Sequence, residues 1–234
     1  MIDWSIVIQS WPAFLVGLKV TLVLLAMSCA SGFVLSIPLA VARVSSKRAV
    51  WMPVFLFTYV LRGTPLLVQM FMVYHGLAQF EAVRESFVWP ALKSPWFCAW
   101  LVFTLNTTAY TTEIFSGALK ATSNGELEAA RSLGLSEMAI YRRILLPSAL
   151  RRALPQYGNE VVMMMHATAI ASTVTLVEIT RVARDVYYNH LMVTESFGVA
   201  AMIYFVLTFA IAGVFKLIER RALCHIPPAQ RETA

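Results

Sequence analysis

Five long apolar runs, separated by short polar segments, limit what this chain can fold into more than any other feature. Each approaches or exceeds the roughly 20 residues that an α-helix needs to cross the hydrocarbon core of a bilayer. The runs cover residues 20–42, 49–80, 94–112, 153–177 and 196–215. Only 14% of the 234 residues are charged, against roughly a quarter in an average soluble domain. The sequence therefore predicts an all-α integral membrane protein with five transmembrane helices in a single domain, residues 1–234.

Two runs carry signals that modify this simple pattern. The second run is too long for one straight span, and Gly63 and Pro65 predict a bend within it. Ahead of the first span, residues 4–14 form a short segment with Trp4 and Trp11. Because tryptophan favours the headgroup level of a bilayer, this segment is expected to lie in the interface.

Basic residues are concentrated in alternate loops, which predicts the orientation of the chain. They follow the first, third and fifth spans, at Arg43, Lys47, Arg48, Lys120, Arg131, Arg142, Arg143, Arg151, Arg152, Lys216, Arg220, Arg221 and Arg231. The positive-inside rule then places the N-terminus outside and the C-terminus in the cytoplasm. The net charge of +6 is spread over these loops, so it indicates membrane orientation and not nucleic-acid binding.

The largest predicted cytoplasmic loop, residues 123–147, has the local signals of two short helices. Ser123 and Glu126 form a capping box at the start of the first helix. Gly134 suits the left-handed residue that ends it, and Ser136 can cap the second. That second helix is expected to run to about Leu145 and to stop at Pro147.

The same loop carries a spaced motif that resembles a known family. Its seven positions are Glu128, Ala129, Ala130, Gly134, Ile144, Leu146 and Pro147. The spacing resembles the cytoplasmic loop by which permease subunits of ABC importers dock on their ATPase. The resemblance implies that the small side chains of Ala129 and Ala130 let the ATPase approach closely. An amphipathic helix resting on the membrane is the alternative that the residues alone leave open.

Three ionisable residues lie in or at the ends of apolar runs, where a charge normally faces the bundle interior or a water-filled cavity. They are Arg62, Glu113 and Glu160. Asn106 and Tyr110 share one helix face with Glu113 because they lie three to four residues apart. Each of the three charges could line a substrate path or serve only as a structural partner, and Arg62 is expected to pair with Glu160 or Glu113.

The stretch beginning Arg62-Gly63-Thr64-Pro65 resembles a signature of ABC permeases for polar amino acids, which adds Thr64 to the candidate path. Farther along, many members of that family carry a Lys-Asp-Thr run where this chain has His166, Ala167 and Thr168. With this departure, the chain resembles one of the two different permease subunits that pair in histidine/lysine/arginine/ornithine importers and in arginine/ornithine importers. The resemblance implies that a different permease chain pairs with this one. His166 and Thr168 are also candidate residues of the substrate path.

The resemblance implies a transport subunit of the bacterial inner membrane and no enzyme activity in this chain. Its expected partners are a second permease, an ABC ATPase dimer, an extracytoplasmic amino-acid-binding protein and membrane lipid. The chain lacks a phosphate-binding Gly-x4-Gly-Lys-Ser/Thr loop, so ATP-Mg is assigned to the ATPase and no cofactor to this chain. Cys29, Cys98 and Cys224 have no metal-site spacing. A permease for another polar amino acid or an opine, and a membrane channel, remain alternatives.

Overall fold

The computed structural model describes residues 4–222, which are almost entirely helical and contain no strand. Arg231 and Cys224, named above, lie outside the described residues. In chain order the α-helices are α1 (Trp4–Arg43), α2 (Arg48–Gly63), α3 (Leu66–Phe71), α4 (Glu81–Arg84), α5 (Trp89–Leu92), α6 (Pro95–Lys120), α7 (Asn124–Ser132), α8 (Glu137–Ile140), α9 (Leu146–Ala167), α10 (Ile179–His190) and α11 (Val193–Ala222). The all-α prediction is confirmed.

Length and apolar character support between two and four membrane spans in this part of the chain. Ser5–Arg43 and Val193–Ala222 each qualify as single helices. Two bent pairs qualify jointly: Arg48–Gly63 with Leu66–Gln79, and Glu137–Val174 with Ile179–His190. Helix α6 has 26 residues, which is long enough, but its threonines and Asn106 lower its hydropathy. The number of five spans stays a prediction.

The predicted break in the second run is confirmed and is sharp. The helical segments on either side of it meet at 102°. Thr64 and Pro65 have extended backbones, and proline brings no N–H to continue the ladder. The Gln69 side-chain amide donates to the carbonyl oxygens of Leu61 (2.8 Å) and Thr64 (3.1 Å). It thereby satisfies helix-end acceptors that the break leaves without intrahelical partners.

Residues 4–14 do not form a segment separate from the first span, and their place in the membrane interface stays a prediction. These residues belong to α1, which runs without interruption for 40 residues, or about 60 Å at 1.5 Å per residue. Phe14 is buried in a cluster with Ile179, Val182 and other residues of α10 and α11. Packing on α10 therefore holds this segment in the helix, and α1 is about twice as long as the hydrocarbon core is thick.

Pro147 does not stop a helix, in contrast to the prediction. Residues Tyr141–Leu145 form one wide π-helical turn, in which the Leu146 N–H reaches the Tyr141 carbonyl. Pro147 then lies in the first turn of α9. The helical path therefore continues through the proline, directly after this π-helical turn.

The main helices approach closely where one of them carries glycine. On α1, a Cβ at Gly32 would overlap the methyl group of Thr107 on α6. On α9, a Cβ at Gly158 would lie 2.9 Å from the Phe215 ring on α11. Small residues at helix crossings are typical of membrane bundles, where close van der Waals packing drives association. These contacts pack α1 against α6 and α9 against α11.

Candidate functional site

Two adjoining open cavities lie where the α2–α3 break faces α6 and α9. Their volumes are about 500 and 430 Å3. Both are lined by Arg62, Tyr110, Glu160 and Met163, so we treat them as one polar cavity. Its walls come from three separate apolar runs of the sequence.

Six of the eight candidate path residues line this polar cavity. They are Arg62, Thr64, Asn106, Tyr110, Glu113 and Glu160. The break in α2 presents Arg62 and Thr64, while the polar face of α6 presents Asn106, Tyr110 and Glu113. The spacing argument for the face of α6 therefore identified residues that the fold brings together.

His166 and Thr168 do not line the cavity. The Nε2 atom of His166 lies 2.9 Å from Thr208 Oγ1 on α11. Thr168 is fully buried and donates to the Met165 carbonyl at 2.6 Å. Both residues therefore serve helix packing in this structure.

The expected ion pair of Arg62 with Glu160 or Glu113 is not formed within residues 4–222. The Arg62 guanidinium lies 5.1 Å from the centre of the Tyr110 ring, a cation–π contact. Glu113 instead pairs with Arg43, whose Nε donates to Glu113 Oε1 at 2.8 Å. The partner that sequence reasoning missed lies at the end of α1, 70 positions away.

The Arg43–Glu113 pair joins three helices beside the cavity. Thr58 Oγ1 on α2 donates to the same Glu113 oxygen at 2.7 Å. The Arg43 guanidinium lies 5.0 Å from the Phe55 ring centre. The side chains of Arg43 and Glu113 are only 16% and 21% exposed. Glu113 therefore has a structural role as well as a place in the cavity wall.

Sequence reasoning missed three wall residues on α9: Arg152, Gln156 and Asn159. With Glu160 and Met163 they recur at three- to four-residue spacing, which marks one helix face. Arg152 donates to the Ala118 carbonyl at 3.1 Å and to Thr122 Oγ1. It thus holds the C-terminal end of α6 against α9.

The predicted local structure of the loop at residues 123–147 is largely confirmed. Ser123 Oγ accepts from the Glu126 N–H, and Ser136 Oγ accepts from the Ala139 N–H. Gly134 has a φ of +75°, the left-handed conformation that glycine adopts without strain. Arg131 Nε donates to Glu137 Oε1 at 2.9 Å, and this hydrogen bond holds the pKa of Glu137 below its ordinary value.

The surface of the loop differs from the one that the motif suggested. Glu128, Ala129 and Gly134 are exposed, whereas Ala130 is only 3% exposed. Ala130 packs inward with Phe115, Leu119 and Ile140, so it cannot contact another protein directly. Ile144, Leu146 and Pro147 are half-buried.

Two apolar side chains of the loop point outward and were not singled out from the sequence. Leu133 is 80% exposed and Met138 is 68% exposed. Leu133 is the first residue after α7, which ends at Ser132.

A family model and curated relatives match most of the chain. The model for "Binding-protein-dependent transport system inner membrane component" matches residues 32–223. The nopaline transport system permease protein NocM of Agrobacterium fabrum is 43% identical over 93% of this chain and 90% of its own length. The histidine/lysine/arginine/ornithine transport system permease protein HisM of Escherichia coli is 44% identical over 91% and 90%. The octopine transport system permease protein OccM of Rhizobium radiobacter is 41% identical over 90% and 86%.

Solved structures agree with these relatives. A chain from the crystal structure of an amino acid ABC transporter with histidines matches with a TM-score of 0.84 and 30% identity. The match covers 94% of this chain and 99% of that one. An inward-facing MetNI methionine ABC transporter matches with a TM-score of 0.76 at 18% identity, over 90% and 96% of the two chains, which supports the fold alone.

Proposed function

Because the chain belongs to the family of binding-protein-dependent transport system inner membrane components, it is a permease subunit of an ABC amino-acid importer, and we propose that its substrates are basic amino acids. The class covers arginine, ornithine, histidine and lysine. The substrates named for the HisM relative are of this class. Nopaline and octopine, named for the other relatives, keep an opine as the second candidate.

One observation carries the choice of a basic substrate: the polar cavity is lined by charges of both signs, Arg62 and Glu160, which form no ion pair with each other within residues 4–222. Arg62 lies over Tyr110 and is exposed to the cavity. Glu160 is only 9% exposed and has no ion-pair partner within residues 4–222. A buried carboxylate is stabilised by a cation, which a basic substrate would bring. The substrate carboxylate would then pair with Arg62.

The proposal assigns the loop at residues 123–147 to the cytoplasm, where it contacts the ATPase that uses ATP-Mg. The N-terminus then lies outside and the C-terminus inside. The exposed residues Glu128, Ala129, Leu133, Gly134 and Met138 form the contact surface, and Ala130 supports it from within. An extracytoplasmic binding protein delivers the substrate on the opposite side.

The substrate class is tested by uptake into vesicles that contain the assembled importer. Unlabelled lysine, arginine, ornithine and histidine should each compete with labelled arginine, whereas glutamine and glutamate should not. Glu160→Gln should lower arginine uptake by about tenfold or more, since losing a charged hydrogen bond costs about 1.5–3 kcal/mol. Glu85→Gln, at an exposed position outside both the polar cavity and the loop at residues 123–147, is the matched control. Equal competition by glutamine together with normal uptake by Glu160→Gln would reject the basic substrate.

We also propose that a different permease chain completes the importer, because His166 and Ala167 stand where the family resemblance implies a Lys-Asp pair. This chain, expressed with only the ATPase and binding protein, should give no uptake. Adding the second permease should restore it. Full uptake by the three-component set would show that two copies of this chain suffice.

A further inference from the structure

A separate cavity of about 340 Å3 lies between α9 and α11, away from the Arg62 side of the polar cavity. Its α9 wall consists of Pro155, Gly158, Asn159 and Val162. Its α11 wall consists of Ala212, Phe215, Lys216, Glu219 and Arg220. The charged lining residues Lys216, Glu219 and Arg220 all lie toward the C-terminal end of α11, and the apolar residues Ala212 and Phe215 precede them. The charged end is the cytoplasmic end in the proposed orientation.

A stripe along α11 continues this division beyond the cavity. Phe205, Phe209, Ala212, Lys216 and Arg220 recur every three to four residues and therefore share one face. All five are exposed, the two phenylalanines at 60% and 63%. Lys216 lies 11 positions after Phe205, a distance of about 16 Å along the helix axis. This length is about half of the ~30 Å hydrocarbon core, which is the depth of one lipid leaflet.

The two cations and one carboxylate at the cytoplasmic end of the groove can bind an anionic ligand that also carries a hydroxyl group. Lys216 and Arg220 form no ion pair with any carboxylate within residues 4–222 and remain exposed. Basic cavities between helices on the cytoplasmic side attract anionic lipid headgroups. Glu219 also lines the cavity and can accept a hydrogen bond from a headgroup hydroxyl. Two cations and one acceptor match the phosphodiester and glycerol of phosphatidylglycerol.

We propose that this groove binds one phosphatidylglycerol molecule of the cytoplasmic leaflet. Its phosphate contacts Lys216 and Arg220, its glycerol contacts Glu219, and an acyl chain lies along Phe209 and Phe205. Asn159 lines both this groove and the polar cavity. Asn159 therefore lies between the proposed headgroup site and the polar cavity. This inference goes beyond the proposed substrate class and does not depend on it.

Native mass spectrometry of the purified full chain, loaded from mixed phosphatidylglycerol and phosphatidylcholine, tests the proposal. Wild-type protein should retain one phosphatidylglycerol in preference to phosphatidylcholine. Removing one cation near a membrane surface should lower this retention about fivefold, and Lys216→Gln with Arg220→Gln about thirtyfold. Arg48→Gln with Arg221→Gln removes two exposed charges outside the groove and should change retention little. Equal loss in both double variants would overturn a specific site.

A second set of variants identifies the occupant without changing the charge. Ala212→Trp fills the groove at an exposed position and should lower phosphatidylglycerol retention to the level of the double variant. A photo-crosslinking residue at position 209 should capture lipid in the assembled importer. Capture of a second permease chain instead would overturn the proposal and assign this face to a subunit interface. Unchanged retention in Ala212→Trp would overturn it as well.

Discussion

The Arg43–Glu113 pair offers a sharp test of how the three helices beside the polar cavity are held together. The Arg43 Nε and Glu113 Oε1 atoms are 2.8 Å apart, and about four-fifths of each side chain is shielded from solvent. Removing one partner of a fully buried pair costs about 3–5 kcal/mol, whereas exposed pairs contribute at most about 1 kcal/mol. This pair lies between those limits. We therefore expect Arg43→Met to destabilise the protein by about 2–3 kcal/mol.

The double variant Arg43→Met with Glu113→Gln should recover much of this loss, because neither charge is left unpaired. Glutamine keeps an oxygen that can accept the Thr58 hydroxyl. The interaction energy from the double-mutant cycle should be about 1.5–2 kcal/mol. Thermal unfolding of the purified protein in detergent measures it, and Arg43→Met alone should lower the midpoint by about 5–10 °C.

Arg62→Met serves as the control, since Arg62 was the partner expected from the sequence. It removes the cation–π contact with Tyr110, which contributes about 0.5–1 kcal/mol at an exposed site, and a longer-range attraction to Glu113. Its coupling to Glu113→Gln should therefore be smaller than that of Arg43→Met. Additive effects for Arg43 and Glu113, within about 0.5 kcal/mol, would refute the pairing. Stronger coupling of Glu113 to Arg62 than to Arg43 would do so too.

Three further substitutions probe backbone and packing positions. Gly32→Val should destabilise the bundle by about 1–3 kcal/mol through overpacking against Thr107, seen as a lower unfolding midpoint. Gly134→Val places a Cβ at a φ of +75°, at a local cost of about 1–2 kcal/mol. This variant should stay in the membrane but co-purify with less ATPase, whereas the control Gly125→Val should retain the ATPase. Glu178→Ala removes the side chain that accepts hydrogen bonds from two N–H groups at the start of α10. It should destabilise the protein by about 1–2 kcal/mol, measured as a lower thermal unfolding midpoint.

Local signals in the sequence were sufficient where neighbouring residues decide the structure. The caps at Ser123 and Ser136, the left-handed Gly134 and the break at Pro65 are all set within a few residues. Each satisfies or removes a specific backbone hydrogen bond, so the chemistry of one side chain is enough to predict it. The polar face of α6 was predictable for a similar reason, because helical periodicity alone groups its residues.

Contacts distant in sequence explain the errors. The sequence did not indicate that residues 4–14 continue the first span as one helix, in which Phe14 is buried against α10. Arg43 was counted as a loop charge, yet it turns back to Glu113 on α6. Glu178, which the sequence did not mark as a core residue, is fully buried and accepts a hydrogen bond from the Tyr204 hydroxyl, 26 positions away, at 2.8 Å. No periodicity in a single sequence reveals which distant segment supplies such a partner.

The structure places the loop at residues 123–147 and the polar cavity on opposite sides of one packed layer. Ala130 of α7 packs in a cluster with Phe115 and Leu119 of α6 and Ala153 of α9. Ala153 also lines the polar cavity, and Arg152 beside it holds the end of α6. Because helix interfaces are close-packed and yield by discrete shifts, α7 cannot move far without moving these two helix ends. In the proposed docking, the buried Ala130 therefore links the exposed face of the loop, which includes Glu128, to the cavity wall.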